Sequence, residues 1–395
     1  MRPPSAPASA RMMRWAKALR ADASAVLDAL RGRHAPPTIT RKPRVRTAPH
    51  GASATARALR IAEIRRETPD AVTIVLADPS GAPIAFRPGQ FFTLLIEMGG
   101  EPVRRAYSAC SSHLDPTRVA ITVKRVAGGR VSNHLNDRAQ VGDPIRVLGP
   151  SGDFGTAPDA ANARHVVLLG GGSGITPLMS IARGILAVEP ASKVTLVYGN
   201  RRAADIIFAD ELATLAAAHP ALTVRHVLEE ADPCAVRTGR LDDAAIAALA
   251  DDLGFDATAE YFVCGPEPMM AAAKAALVAR SIPATRIHEE RFASVRSTPV
   301  RSAQLATIRL GGKSREVTVP AGGSLLDAGL DAGLPMPFSC AMGGCGACAV
   351  ELVSGAVDLD EPNCLGADER ARGTILACVA RPLGPCVIAV PGTTS

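Results

Sequence analysis

Aromatic residues are scarce in this sequence, which has one Trp, three Tyr and nine Phe among 395 residues. Because 47% of the residues are nevertheless hydrophobic, the cores must be packed mainly from aliphatic side chains. The chain also lacks any apolar run near the ~18 residues that a membrane-spanning helix needs. Its basic N-terminus has no apolar segment of the secretory type. We therefore expect a globular, cytoplasmic protein of about two or three domains.

A strong charge excess is missing from the body of the chain as well. The formal net charge is +6, but residues 1–50 alone carry +9, so residues 51–395 carry −3. A nucleic-acid-binding body needs a clustered basic surface. We therefore expect no nucleic-acid partner.

Residues 1–50 form a basic leader with seven prolines. Within it, apolar side chains recur at helical spacing, at Met12, Trp15, Ala16, Leu19, Ala23, Val26, Leu27 and Leu30. Two interpretations stay open. The leader is either a loosely docked, low-complexity segment, or it contains a short amphipathic helix that docks on a membrane surface or a partner protein.

The order of structural signals divides the remaining chain into modules. Residues 51–157 contain six runs rich in Val, Ile, Thr and Phe between turn residues, which predicts a small antiparallel barrel. Residues 158–293 alternate strands with Ala- and Leu-rich helical stretches, which predicts a parallel sheet covered by helices on both faces. A polar linker at 294–302 leads to a module at 303–395 that has β-like runs and a short helix from Ser324. The six runs of the barrel are Ile61–Glu67, Ala71–Leu76, Gln90–Glu97, Tyr107–Ser111, Val119–Val126 and Ile145–Leu148.

The cysteines are concentrated near the C-terminus, where six of the nine occupy the last 56 residues. Without an export signal, clustered thiols indicate metal or redox chemistry rather than a disulfide framework. Cys340, Cys345 and Cys348 follow the pattern C-x4-C-x2-C, and Cys378 comes after 29 further residues. This is the plant-type 2Fe–2S spacing, whereas a zinc site of paired C-x2-C knuckles would need a second pair. Cys364 and Cys386 are expected to be small buried hydrophobic residues.

The segment around these cysteines resembles a plant-type ferredoxin domain over roughly residues 303–392. The resemblance rests on Phe338-Ser339-Cys340, on the glycine-rich loop through Cys348, and on Cys378 ahead of Arg381-Pro382. It implies an α+β fold of the β-grasp type. It also implies that Cys340, Cys345, Cys348 and Cys378 are the metal ligands of a 2Fe–2S cluster.

The barrel carries a motif that resembles the R-x-Y-S flavin motif of the ferredoxin-NADP reductase superfamily. Arg105-Ala106-Tyr107-Ser108 follows Arg87-Pro88-Gly89-Gln90-Phe91 at the distance typical of that superfamily. The resemblance implies FAD, with Arg105 on the pyrophosphate, Tyr107 stacked on the isoalloxazine and Ser108 near its N5. A second phosphate contact is implied where a helix starts, at Gly129, Arg130, Val131 and Ser132.

A glycine-rich turn follows the first predicted strand of the parallel sheet. Gly170, Gly172, Gly174, Thr176 and Pro177 belong to this turn, and Pro177 is expected at the first helical position. Such a turn presents N–H groups to a dinucleotide pyrophosphate. Its G-x-G-x-x-P pattern differs from the ordinary G-x-G-x-x-G and resembles the superfamily's own version.

Two further segments concern the nicotinamide nucleotide. After the second strand come Asn200, Arg201 and Arg202, without the acidic residue that would bind a free ribose 2′-hydroxyl. This favours NADPH over NADH, unless the arginines are simply solvated. Cys264-Gly265-Pro266 resembles the superfamily's C-G-P motif beside the nicotinamide, so Cys264 joins Ser108 as a candidate catalytic residue. Phe292, after His288-Glu289-Glu290-Arg291, is a candidate flavin neighbour.

The modules together predict an electron relay. NAD(P)H yields a hydride and a 2Fe–2S cluster accepts one electron at a time, so a flavin must lie between them. The arrangement, over about residues 57–392, resembles reductase components of multicomponent oxygenases and of acyl-CoA desaturases. It implies an NAD(P)H-dependent oxidoreductase whose acceptor is an iron-containing oxygenase or desaturase.

Three alternatives stay open beside that relay. The enzyme could reduce a small acceptor such as a quinone or free flavin directly. The leader could be a membrane- or partner-docking module. The chain could also be no enzyme at all, but a flavin-free interaction protein that carries zinc.

Overall fold

The computed structural model describes residues 56–99, 101–292, 302–360, 363 and 365–391. The leader helix, nearly all of the linker and Cys364 lie outside the described residues. All described residues belong to one compact unit, Ala48–Ser395. Within them, no helix combines the length and the apolar character that crossing a membrane requires.

The first module is a six-stranded antiparallel barrel with the strand order β4-β3-β6-β1-β2-β5. A bridge between Ala109, the residue after β4, and Ile121 of β5 joins the two edges of the sheet and closes it. Its interior is mostly aliphatic, as the composition predicts, with Leu94 and Ile121 fully buried. One helix, α1 (Arg130–Asp137), packs against the barrel. The strands are β1 (Arg57–Thr68), β2 (Ala71–Ala77), β3 (Phe91–Met98), β4 (Glu101–Ser108), β5 (Arg118–Lys124) and β6 (Pro144–Ser151).

The second module is a six-stranded parallel sheet in the order β10-β9-β8-β7-β11-β12. Chain order reverses between β7 and β11, so the loops at their carboxyl ends meet in a crevice suited to a ligand. Separate apolar cores lie on the two faces of the sheet. Its elements are β7 (His165–Gly171), α2 (Ile175–Val188), β8 (Lys193–Asn200), α3 (Ala209–Ala218), β9 (Leu222–Leu228), β10 (Ala235–Thr238), α4 (Asp243–Leu253), β11 (Glu260–Cys264), α5 (Glu267–Ala279) and β12 (Ile287–Glu290).

The third module has a five-stranded mixed sheet, β14-β13-β19-β15-β17, and a small two-stranded sheet, β16-β18. A short helix, α6, packs on it, and Ser324 caps that helix by accepting a hydrogen bond from the Asp327 N–H. The elements are β13 (Gln304–Leu310), β14 (Lys313–Val319), α6 (Leu325–Asp331), β15 (Ala349–Ser354), β16 (Val357–Leu359), α7 (Ala367–Ala371), β17 (Thr374–Leu376), β18 (Ala380–Pro382) and β19 (Cys386–Ala389).

The predicted fold class is confirmed in all three modules. Strand β4 is the main difference, because it begins at Glu101 rather than at Tyr107. Its first residues include Glu101 and Pro102, whose types are depleted in strands, and the adjacent charges of Arg104 and Arg105 follow them. Strand β10 was missed because it is a short, mostly exposed edge strand.

Candidate functional site

The flavin motif lies at the end of β4, beside the start of β3. Ser108 pairs with Phe91 across the ladder and is 3% exposed. Tyr107 is half-buried, and burial raises the pKa of its phenol to about 12, so the ring stays neutral and can stack. Arg105 is exposed, which leaves its guanidinium able to meet a phosphate.

Glu290, which was not among the predicted site residues, completes this part of the site. Ser108 Oγ donates a hydrogen bond to Glu290 Oε2 at 3.3 Å. Burial, opposed by the hydrogen bond from Ser108 and reinforced by the nearby Cys345, raises the pKa of Glu290 to about 8. The side chain is therefore mainly a neutral acid at pH 7. Its position at the carboxyl end of β12, the strand next to β11, is the feature that could have identified it as a site residue.

The second phosphate segment begins a helix as predicted, with Gly129 at the N-cap of α1. Val131 is buried in the barrel core, so only its backbone faces outward. Ser132 Oγ accepts a hydrogen bond from the Val126 N–H at 3.1 Å, which ties the hydroxyl to the loop. Arg130 is exposed and donates to the Met98 carbonyl at 3.1 Å.

The glycine turn lies directly against the C-G-P segment. A Cβ on Gly174 would come within 2.0 Å of the Cys264 carbonyl oxygen, so no larger residue fits there. Gly170 pairs with Cys264 across β7 and β11. Helix α2 begins at Ile175, so the expectation that Pro177 is the first helical residue is wrong. Pro177 is the third residue, where the missing N–H is still without cost because the first turn has no internal acceptors.

Cys264 is fully buried at the end of β11. Burial and the neighbouring Glu290 raise the pKa of its thiol well above the usual range. The group therefore stays protonated and resembles an apolar wall rather than a nucleophile. Gly265 and Pro266 follow it and lead into α5.

A second unselected residue, Lys124, reaches the glycine turn from the barrel. Its Nζ lies 3.6 Å from the position that a Cβ on Gly172 would occupy. Lys124 ends β5, so the barrel places a positive charge beside the turn. The sequence contained no signal for this contact, because it joins residues of two modules.

The far end of the crevice holds Asn200, Arg201 and Arg202. The buried amide atoms of Asn200 have no hydrogen-bond partner among the described residues, as expected of a group that serves a ligand. Asp205 is buried and forms ion pairs with Arg202 at 3.1 Å and Arg201 at 3.5 Å. Both guanidinium groups are more than half exposed. The orphaned amide fits a bound dinucleotide.

The four predicted cluster cysteines lie together as two pairs. Cys348 Sγ and Cys378 Sγ are 3.1 Å apart, and Cys345 Sγ lies 3.5 Å from the Cys340 N–H. The Cys340 thiol lowers the pKa of Cys345 to about 6. No three His, Cys, Asp or Glu side chains in the described ranges surround a single point as one metal ion would require. Two thiol pairs suit a cluster with two irons, each holding two sulfurs.

Backbone groups also point at these sulfurs. The Met342 N–H donates to Cys340 Sγ at 3.4 Å, and the Gly343 N–H donates to Cys378 Sγ at 3.2 Å. Such donors stabilise thiolates and therefore fit a metal-bound state. Cys386 is buried in the core of the module, which confirms its predicted structural role.

The cluster loop lies against the flavin-binding module. Thr93 Oγ1 of β3 donates to the Ser339 carbonyl at 2.7 Å. A Cβ on Gly344 would lie 3.3 Å from the Arg291 carbonyl oxygen, next to Glu290. Phe292, the candidate flavin neighbour, packs against an apolar core that the nucleotide sheet shares with the barrel. The flavin motif, the C-G-P segment and the cluster loop thus meet around Glu290.

Family profiles match each module. Residues 58–155 match the oxidoreductase FAD-binding domain, residues 168–275 the oxidoreductase NAD-binding domain, and residues 308–383 the 2Fe-2S iron-sulfur cluster binding domain. The FAD, nucleotide and cluster modules predicted from the sequence are therefore confirmed.

Relatives match nearly the whole architecture. The ferredoxin reductase component of 3-ketosteroid-9-alpha-monooxygenase from Mycobacterium tuberculosis (strain CDC 1551 / Oshkosh) is 41% identical, over 82% of this chain and 92% of the relative. A component of the 1,2-phenylacetyl-CoA epoxidase from Escherichia coli (strain K12) is 36% identical, over 84% and 96%. The structure of phthalate dioxygenase reductase superposes with a TM-score of 0.66 at 28% identity, over 85% and 98%.

These matches span the barrel, the nucleotide sheet and the cluster module in one continuous order. The chain belongs to the family of ferredoxin reductase components of oxygenase systems, and it is an NAD(P)H-dependent oxidoreductase with FAD and 2Fe–2S modules.

Proposed function

We propose that the electrons leave the 2Fe–2S module for a separate iron-containing oxygenase or desaturase. The observation that carries the proposal is the position of the cluster loop: Gly344 approaches the Arg291 carbonyl, and Cys345 lies near Glu290, the hydrogen-bond partner of Ser108. Bound FAD would supply the change from hydride chemistry to single electrons. No fourth module for an organic substrate lies among the described residues, and the relatives named above are components of oxygenase and epoxidase systems.

Each site residue has a proposed role. Arg105 and the start of α1, from Gly129 to Ser132, hold the FAD pyrophosphate, and Tyr107 stacks on its ring. Ser108 and Glu290 hold a proton between Ser108 Oγ and Glu290 Oε2 at 3.3 Å.

The nucleotide and the cluster have binding residues of their own. The turn from Gly170 to Pro177 and the Lys124 ammonium hold the dinucleotide phosphates, while Cys264, Gly265 and Pro266 form the wall beside the nicotinamide. The metal ligands are Cys340, Cys345, Cys348 and Cys378. Phe292 is a weaker candidate, because it packs against the apolar core shared by the barrel and the nucleotide sheet.

The relay is tested by anaerobic titration of the purified protein with NADPH, followed by flavin absorbance and low-temperature EPR. A rhombic signal of a reduced 2Fe–2S cluster that grows as the flavin responds supports the relay. Flavin bleaching without that signal refutes it and favours direct reduction of a quinone or free flavin. The acceptor is then sought by reconstitution with candidate oxygenases and desaturases, and failure of every cluster-dependent transfer contradicts the proposal.

We also propose that NADPH is preferred over NADH. Arg201 and Arg202 follow Asn200 at the end of β8, and both side chains are more than half exposed. Their guanidinium groups suit a 2′-phosphate. Comparing kcat/KM for the two nucleotides in the parent and in Arg201→Ala tests this. The proposal requires the variant to lose activity with NADPH more than with NADH.

The leader has a proposed role of its own. The +9 charge and apolar spacing of residues 1–50 would let a cytoplasmic reductase bind the periphery of a membrane or a membrane-bound partner. Co-sedimentation with anionic and neutral liposomes, for the full chain and for a chain without residues 1–50, tests this. Equal sedimentation of the two chains contradicts the membrane role.

A further inference from the structure

We propose that Arg104 is a positioning residue for internal electron transfer, because it holds the cluster loop against the strand that carries the flavin motif. The inference rests on the proposed relay and adds to it the device that sets the distance between flavin and cluster. Electron transfer slows steeply with distance, so a contact that keeps the two modules docked controls its rate.

Arg104 makes two contacts with the ferredoxin module. Its Nη1 lies 2.9 Å from Asp327 Oδ1, and its guanidinium carbon lies 5.6 Å from the centroid of the Phe338 ring. Phe338 precedes the cluster ligand Cys340 by two residues. The Arg104 side chain is only 14% exposed, whereas the Asp327 side chain is 54% exposed, so the guanidinium group is largely shielded from water while the carboxylate stays accessible.

The partner carboxylate is held in place by its own module. Ser324 Oγ donates to Asp327 Oδ2 at 2.7 Å, and the Asp327 N–H donates to Ser324 Oγ at 3.0 Å. Ser324 is buried and caps α6. Asp327 therefore offers its other oxygen to Arg104 in a fixed direction, as a docking contact requires.

Strand β4 links this contact to the flavin motif. Neighbouring side chains of a strand point to opposite faces, so Arg104 faces the ferredoxin module while Arg105 faces away from it. Thr93 lies on the same face as Arg104, since Arg104 pairs with Leu95, two residues further along β3. Its hydrogen bond to the Ser339 carbonyl adds a third contact beside the cluster loop.

Charge reversal of the holoenzyme tests the inference. The variants are Arg104→Glu, Asp327→Arg and the double variant. Arg118→Glu is the matched control, because Arg118 is an exposed arginine of the same barrel that pairs within its own loop, with Asp115. Anaerobic stopped-flow with excess NADPH measures flavin reduction, and freeze-quench EPR measures how fast the cluster is reduced afterwards.

Each single variant is expected to slow cluster reduction at least about fivefold, because attraction becomes repulsion. Flavin reduction should stay within about twofold, and the double variant should recover most of the lost rate, since the pair is rebuilt in reverse. A general loss of folding or of cofactors would slow flavin reduction as well, so slow cluster reduction with normal flavin reduction, restored in the double variant, identifies the docking role.

Two results overturn the inference. In the first, both single variants reduce the cluster within about twofold of the parent rate. In the second, the double variant reduces the cluster no faster than the slower of the two single variants. If a charge-reversal variant loses its cofactors, Asp327→Asn is tested in its place. It should slow cluster reduction with normal flavin reduction, and an unchanged rate would count against Arg104. Failure of the parent protein to reduce its cluster would instead refute the proposed function itself.

Discussion

At the scale of single residues, Glu290 is a carboxyl group in an environment very different from water. It accepts a hydrogen bond from Ser108 and lies near both Cys264 and Cys345. Burial raises its pKa from 4.5 to about 8. The folded state therefore binds a proton that the unfolded state has released across this range of pH.

This shift predicts that Glu290 lowers the stability of the folded state by an amount that depends on pH. Because the folded pKa is the higher one, stability falls as pH rises from about 4.5 to about 8. Relative to Glu290→Gln, the parent should lose thermal stability across this window. Thermal unfolding of both holoenzymes at several pH values measures it, with the exposed Glu316→Gln as the control. A constant difference in Tm would contradict the raised pKa.

Cys378 allows a second prediction at this scale. It comes from a separate segment, yet its sulfur lies 3.1 Å from that of Cys348. Cys378→Ala should lose the EPR signal and most of the iron and sulfide, but keep FAD and ferricyanide reduction. Cys386→Ala is the control, because Cys386 is buried in the same core but is not one of the four predicted ligands. A full cluster in Cys378→Ala would mean that another residue is the fourth ligand.

At the scale of elements, the meeting of two loops shapes the nucleotide crevice. The turn between β7 and α2 touches the loop between β11 and α5 so closely that a Cβ on Gly174 would lie 2.0 Å from the Cys264 carbonyl. Both partners are backbone, so neither can turn aside as a flexible side chain would.

Gly174→Ala is therefore expected to distort both loops. Overpacking costs about 1–3 kcal/mol, and we expect KM for NADPH to rise about tenfold or more while FAD stays bound. Steady-state kinetics and flavin absorbance measure these effects. Gly384→Ala is the control, because a Cβ there would have no neighbour within 4 Å. An unchanged KM would show that the crevice tolerates the displacement.

At the scale of the whole molecule, a partly exposed ion pair helps to join the ferredoxin module to the barrel. Salt screens such pairs, so docking through Arg104 and Asp327 should weaken as ionic strength increases. Under saturating NADPH, the rate of cluster reduction in the parent should fall with added salt. In Arg104→Glu the slope should reverse, because salt screens a repulsion. Equal slopes in stopped-flow measurements would contradict electrostatic docking.

The sequence by itself determined the three modules, their order and the residue types at each site. Strand and helix periodicity is a local property of the sequence. Short motifs are local as well, and they include the spacing of Cys340, Cys345 and Cys348 and the turn from Gly170 to Pro177. The start of β4 was not predicted, because Glu101 and Pro102 are of types depleted in strands.

Only the tertiary structure decided how the modules meet. Glu290 beside Ser108, Lys124 beside Gly172, and Arg104 beside Asp327 join residues from different modules. No local pattern encodes these contacts, because the packing of whole sheets determines which loops come together. The same packing raises the pKa of Glu290 and brings Cys378 to Cys348, since burial and proximity are properties of the folded chain.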